Sequence, residues 1–172
     1  MNSNQFNKIL VVKHGSLGDI AFSILAMASI KQFFSNATID LLTEEKYINF
    51  LSNSNYFNSI FKDNRKGIID SLKVILKINQ NKYDLIIDLQ NSKRTNNYWS
   101  FLKFISEVKV NGSRSNCDIQ YVIPPQGTES PQQGLYNQLK LLGVNEINQN
   151  VDWLSRDTVS YTHLRAHETD SH

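Results

Sequence analysis

The sequence is short of the residues that build special scaffolds. Of 172 residues only one, Cys117, is cysteine. That excludes an internal disulfide framework and a cysteine-built zinc site, and it fits a reducing compartment. Only 7 glycines and 3 prolines are present, too few for a collagenous or linker-like chain. Charge of one sign is also scarce: Lys plus Arg (18) against Asp plus Glu (16) leaves +2, which gives no global pull towards nucleic acid. No long hydrophobic run occurs. The longest apolar stretch, Ile20 to Ile30, is interrupted by Ser23 and Ser29 and is too short to span a bilayer. The opening Met1-Asn2-Ser3-Asn4-Gln5 is polar, so no signal peptide is expected, and the expectation is a cytoplasmic protein.

What is present is enough for one domain. A chain of this length buries roughly 70% of the surface its unfolded form exposes. Hydrophobic residues at 40% and charged residues at 20% sit slightly below the globular average, with Asn, Ser and Gln filling the gap.

Short β-branched runs alternate with segments of helical period, the pattern of a parallel sheet with crossover helices. Strands are predicted at Lys8–Val12, Thr38–Leu42, Phe57–Lys62, Tyr83–Leu89 and Val108–Asn111. Helices are predicted at Asp19–Phe34, Glu44–Leu51, Ile68–Ile78, Arg94–Ile105 and Gln132–Leu142, the last stopped by Gly143. The fold class is α/β, a Rossmann-like parallel sheet with helices on both faces, over residues 1–157. The tail 158–172 breaks the pattern and resembles a translated sequencing adapter, so it is left out of the fold. His163 and His167 have metal-ligand spacing beside Glu168, but they lie in that tail with His172, and no metal site is expected from them.

In an open parallel sheet, ligands bind beyond the carboxyl ends of the strands. The first such turn is Lys13-His14-Gly15-Ser16-Leu17-Gly18-Asp19. Its glycines allow close backbone approach, and the helix amides that follow favour negative charge. It lacks the spacing of a P-loop or of Gly-x-Gly-x-x-Gly. Ser16 and Asp19 have capping-box spacing, so Asp19 reads either as a cap or as a functional carboxylate at the cleft mouth. Lys13 reads equally as a solvated loop lysine.

A second constellation, Asp88-Leu89-Gln90-Asn91-Ser92-Lys93-Arg94-Thr95, follows the fourth strand. Two cations at a helix start oppose the dipole at roughly 0.3–1 kcal/mol each. That cost at a ligand edge points to an anionic partner, for which Arg gives bidentate contacts; the alternative is a pair of solvated surface cations. Asp88 can serve simply to orient the amides that follow it.

Four segments in order resemble glycosyltransferase family 9, the ADP-heptose:lipopolysaccharide heptosyltransferases. They are Ile9 to Lys13 with Gly15 to Asp19, Ile39 to Glu45, Tyr83 to Gln90 with Arg94-Thr95, and Leu139 to Gly143. The resemblance spans about residues 8 to 145. It implies the N-terminal, acceptor-side half of a GT-B enzyme, with the donor domain lying beyond this chain. It further implies inverting sugar transfer without metal or resident cofactor, from a nucleotide sugar such as ADP-heptose bound by that other domain. The acceptor implied is the lipopolysaccharide inner core or a related anionic glycolipid, with no nucleic acid partner. Asp19 aligns with the family's base. Lys13, Gly15, Ser16 and Gly18 would shape the acceptor loop, Gln90 would contact the substrate, and Arg94 with Lys93 would meet the acceptor's anionic groups. Asn91 stands where the family often has glycine, Lys93 is unusual there, and Ser130-Pro131-Gln132 replaces a common histidine. The sequence has no Asp-x-Asp pair of the kind that holds a metal-bound diphosphate.

Two other readings stand beside this one. One is a non-catalytic Rossmann-like module for a nucleotide or anionic sugar. The other is peripheral contact with the inner membrane surface through Tyr98, Trp99, Phe101, Phe104 and Ile105 with Lys103, a stripe that could equally be core.

Overall fold

The computed structural model describes residues 1–156. The adapter-like tail, with His163, His167 and His172, lies outside the described residues, as does Asp157.

Six parallel strands form one sheet in the order β3-β2-β1-β4-β5-β6. They are β1 (Lys8–Val12), β2 (Thr38–Thr43), β3 (Ser59–Lys62), β4 (Leu85–Asp88), β5 (Lys109–Gly112) and β6 (Ile119–Gln120). The helices are α1 (Leu17–Phe33), α2 (Glu45–Ser52), α3 (Gly67–Asn81), α4 (Lys93–Leu102) and α5 (Pro131–Lys140), and a 3-10 turn covers Asp152–Arg156. The expected α/β architecture is present, with each predicted strand and helix within a few residues of its place. The exception is β6. Its two residues pair with Asn111 and Gly112, and so brief a strand carries no hydrophobic alternation to betray it.

Central strands are buried on both faces, and alternate residues feed two cores. Ile9, Val11, Ile39, Leu41, Leu85 and Ile87 pack under α1, α2 and α5. Leu10, Val12, Leu42, Ile86 and Val110 pack under α3 and α4. Helix α1 is buried on most of its circumference because α5 lies against it, and its hydroxyls are satisfied internally, Ser23 on Asp19 O and Ser29 on Leu25 O. The aromatic stripe of α4 divides. Tyr98 and Trp99 are buried, whereas Phe101, Phe104 and Ile105 are exposed. The stripe as a single interface is therefore corrected, because two of its five apolar residues are core.

The turn from β4 into α4 is locked by polar side chains. Asn91 has φ 51°, a left-handed conformation that asparagine tolerates. Its Nδ2 donates to Gln138 Oε1 (2.8 Å) and its Oδ1 accepts from Ser113 N (2.7 Å). Buried Gln138 reaches on to Asp88 O and Asn111 Oδ1. Asn91 thus takes a left-handed backbone conformation and fixes it with side-chain bonds. Among the described residues, no helix is long and apolar enough to cross a membrane.

Candidate functional site

The carboxyl ends of β1, β2, β3 and β4 bring together Lys13–Asp19, Glu44, Asp63–Arg65 and Leu89–Arg94. Ser16 is the N-cap of α1 and forms a reciprocal capping box with Asp19. Asp19 Oδ2 accepts from Ser16 N (2.8 Å) and from Ser16 Oγ (2.9 Å). These bonds hold the Asp19 carboxyl below the usual carboxylate range, with slight burial opposing them and the Lys13 charge adding to them. The side chain is exposed, and all its hydrogen bonds fall on Oδ2, which leaves Oδ1 as the available acceptor. Capping and a ligand role therefore occupy different oxygens of one carboxylate.

Gly15 takes φ 114°, and a Cβ there would meet Asp19 Oδ2 at 2.6 Å, so this glycine is demanded twice over. Gly18 differs. A Cβ there would make only an ordinary 3.7 Å contact with Ser16 Oγ, so the protein's own packing does not require glycine. Its bare backbone leaves the first turn of α1 open beside Asp19.

Lys13 is 8% exposed, and its Nζ donates to Leu89 O across the β1–β4 boundary at 3.3 Å. Burial pushes its pKa down, while Asp19 and Asp88 pull it up. It is no solvated loop lysine. The turn is also braced from both sides: His14 N donates to Gln90 Oε1 (3.0 Å) and Gly15 N to Glu44 Oε1 (3.0 Å), while Tyr47 donates its hydroxyl to Gly15 O (2.9 Å). Burial raises the Glu44 carboxyl, but the Gly15 amide and the Arg65 guanidinium at 2.9 Å outweigh it and hold it low.

A buried carboxylate, Asp63, is the second focus. Its Oδ2 accepts from Tyr98 Oη (2.9 Å), and its Oδ1 accepts from Arg65 N (2.9 Å) and lies 3.9 Å from Arg94 Nη2. His14 Nε2 lies 3.4 Å from Oδ2 without forming a hydrogen bond. Burial pushes His14 down to about 4 against the pull of Asp63, so the imidazole is neutral near pH 7 and the pair is not an ion pair there. Arg94 also donates Nε to Tyr98 Oη at 2.5 Å, while its side chain stays partly accessible.

Of the residues predicted from sequence, Lys13, Gly15, Ser16 and Asp19 meet in one turn, with Gly18 on its open side. Gln90 is tied to that turn through His14, and Arg94 joins it through Asp63. Lys93 is exposed at the start of α4 and touches none of them. Asp88 is fully buried and orients amides as expected: Oδ1 accepts from Gln90 N and Asn91 N, both at 2.9 Å, and Oδ2 from Trp99 Nε1 at 2.7 Å. Sequence reasoning gave no role to His14, Glu44, Tyr47, Asp63 or Arg65, and placed Tyr98 only in the apolar stripe of α4. The usable signal was position, since Glu44 and Asp63 directly follow the carboxyl ends of β2 and β3. Among the described residues, no group of three or more His, Cys, Asp or Glu is placed to hold a metal ion.

No family model matches the chain. A stretch of 87 residues is 32% identical to a protein named lipopolysaccharide heptosyltransferase 1 from Campylobacter coli, covering 48% of this chain and 25% of that one. In fold, the chain is similar to the glycosyl transferase family 9 crystal structure from Veillonella parvula, with TM-score 0.69, 18% identity, and coverage of 95% of this chain and 50% of that. It is similar also to E. coli heptosyltransferase WaaC bound to ADP-2-deoxy-2-fluoro heptose, with TM-score 0.61, 15% identity, and coverage of 83% and 50%. A third solved relative, E. coli ADP-heptose lps heptosyltransferase II, gives TM-score 0.59 at 15% identity over 76% of this chain and 40% of that one. The chain spans about half the length of these solved relatives or less. The resemblance to glycosyltransferase family 9 carried by the four motifs is thus found again in a 32%-identical heptosyltransferase segment and in the Rossmann-like α/β fold.

Proposed function

We propose that this chain is the acceptor-side half of an inverting, heptosyltransferase-like glycosyltransferase of GT-B architecture. The observation that carries the reading is the Asp19 carboxylate, ionised, fixed through one oxygen by Ser16, and open on the other beside a glycine that packing does not require.

In the proposed reaction, an acceptor hydroxyl donates its hydrogen bond to Asp19 Oδ1. Its oxygen attacks the anomeric carbon of the nucleotide sugar, the bond to the diphosphate breaks, and Asp19 takes the hydroxyl proton. The nucleoside diphosphate leaves with the bonding electrons. A carboxylate held low in pKa is a weak base at rest, so proton transfer occurs late, as the attacking oxygen gains positive charge. Lys13 and Glu44 brace the loop from beneath. Arg94, whose side chain is partly accessible, and Lys93 meet phosphate or carboxylate groups of an inner-core or related anionic glycolipid. The donor, ADP-heptose or a similar nucleotide sugar, binds outside this chain, and no resident cofactor or metal takes part. An acceptor of that kind sits in a membrane leaflet, so the working place is the cytoplasmic face of the inner membrane.

The test uses the complete gene product. Asp19→Asn should lower kcat by about 100-fold or more, the scale of a lost general base, with donor binding intact. Transfer near the parent rate would overturn the assignment of Asp19. Source DNA without a second α/β domain after this segment would overturn the two-domain reading in favour of a stand-alone binding module.

A further inference from the structure

Helix α3 is apolar on more than the face it buries. Val74, Ile75 and Ile78 pack on the sheet, yet Ile68 (79% exposed), Ile69 (70%), Leu72 and Leu76 point away from it. On the same layer, Phe101, Phe104 (86% exposed) and Ile105 stand out at the end of α4. Seven of the twelve large hydrophobic residues exposed among the described residues lie on this one layer. Between the two helices runs an open groove of about 540 Å³, walled by Ile68, Leu72, Ile75 and Phe101, with Tyr98 and Arg94 also lining it. An exposed apolar face built around this groove by Ile68, Leu72 and Phe101 marks an interaction surface.

Its charge selects the partner. Helices α3 and α4 carry Lys73, Lys77, Lys93 and Arg94 against a single acid, Asp70, and Lys66 and Lys103 flank them. Lys77 sits over the Phe61 ring, Lys103 pairs with Asp118, and Arg94 is drawn to Asp63. Lys66, Lys73 and Lys93 are exposed and make no ion pair among the described residues. Since the whole chain has a net charge of only +2, this excess is local. A second copy docked by two-fold symmetry would set these cations against their own counterparts. An apolar face rimmed by cations is instead the complement of an anionic lipid surface.

We infer that the α3–α4 face docks on an anionic phospholipid bilayer. Ile68, Ile69, Leu72 and Phe101 enter the boundary between headgroups and acyl chains, and Lys66 and Lys73 lie at the lipid phosphates. The first turns of α3 and α4 follow the carboxyl ends of β3 and β4, so docking holds the edge that carries Asp19 close to the membrane. Only that last consequence rests on the proposed transfer reaction, and the binding test below needs no catalysis.

The 172-residue chain is sedimented with vesicles of phosphatidylglycerol and, separately, of phosphatidylcholine. Binding should favour the anionic vesicles by about tenfold or more and weaken as salt rises, given roughly fivefold per cation near such a surface. Ile68→Ser with Ile69→Ser should lower partitioning by about tenfold, since it removes two aliphatic side chains from the boundary. Lys66→Glu with Lys73→Glu should do so by at least the same factor. Phe22→Ser, on the opposite face in α1, should bind like the parent, and thermal melts confirm that each variant is folded. Equal binding to both vesicle types, unchanged binding by the α3 variants, or equal loss with Phe22→Ser would each overturn the inference. A dimer on gel filtration that dissociates in Ile68→Ser/Ile69→Ser would overturn it in favour of a second copy.

Discussion

Asp19 Oδ2 stands where a side chain on Gly15 would have to be, 2.6 Å from the position of that missing Cβ. The backbone turn and the candidate base are therefore one steric unit. Gly15→Ala must either expel the carboxylate from its Ser16 bonds or abandon φ 114°, a conformation alanine disfavours. The expected outcome is a loss of roughly 1–3 kcal/mol in a urea melt, the scale of a strained backbone site. In the complete enzyme, transfer should fall at least as far as in Asp19→Asn.

His14 makes the domain acid-sensitive. Its folded pKa, about 4, lies below the ordinary value of 6.5, and the dominant cause is burial. Below pH 6.5 the unfolded state therefore binds the proton more readily than the folded state does. Stability should be full above about pH 6.5, fall as the pH drops towards 4, and level off below that. A shift of this size corresponds to at most about 3 kcal/mol. His14→Gln removes the titrating ring, and its urea midpoint should lose most of the slope between pH 6.5 and 4. A slope unchanged from the parent would assign the acid sensitivity to other groups.

The layout of the fold is legible because its signals are local. Runs such as Ile9–Val12 and Leu85–Ile87, and the helical spacing of Ile68 to Ile78, follow from burial on the faces of a sheet. The Ser16–Asp19 cap is legible for the same reason, since its partners are three residues apart. The cluster around Asp63 was not, because His14, Asp63 and Tyr98 meet only once β3 and α4 are folded against β1, and no spacing encodes that. Asn91 shows the same limit. Its left-handed conformation could be guessed from the glycine it replaces, but its bond to Gln138, 47 residues away, could not. The α4 stripe misled because Trp99, apolar by composition, is also the polar partner of a buried carboxylate.

That partnership predicts a cost out of proportion to its size. Trp99 Nε1 donates to Asp88 Oδ2 at 2.7 Å where both side chains are fully buried. Trp99→Phe keeps an aromatic ring but leaves a carboxylate oxygen without that donor. The expected loss is about 2–4 kcal/mol, combining a lost hydrogen bond to a buried carboxyl group with a smaller ring. Trp99→Phe combined with Asp88→Asn, which removes the charge, should cost less than the sum of the two single changes. Strict additivity in a double-mutant cycle would mean that the bond contributes nothing.

Gly18 separates structural need from ligand need. Its φ lies outside the left-handed range and a Cβ would have room, so alanine there should be tolerated and should favour the helix by up to about 1 kcal/mol. The same methyl group would sit in the first turn of α1 next to Asp19, where the proposed reaction brings the acceptor. Gly18→Ala should therefore melt at the same temperature as the parent or higher. In the complete enzyme it should raise KM for the acceptor several-fold while donor binding is unchanged. A structural glycine gives the opposite result, lower stability with unaltered acceptor KM, and that outcome would remove the main support for an acceptor approaching over this turn.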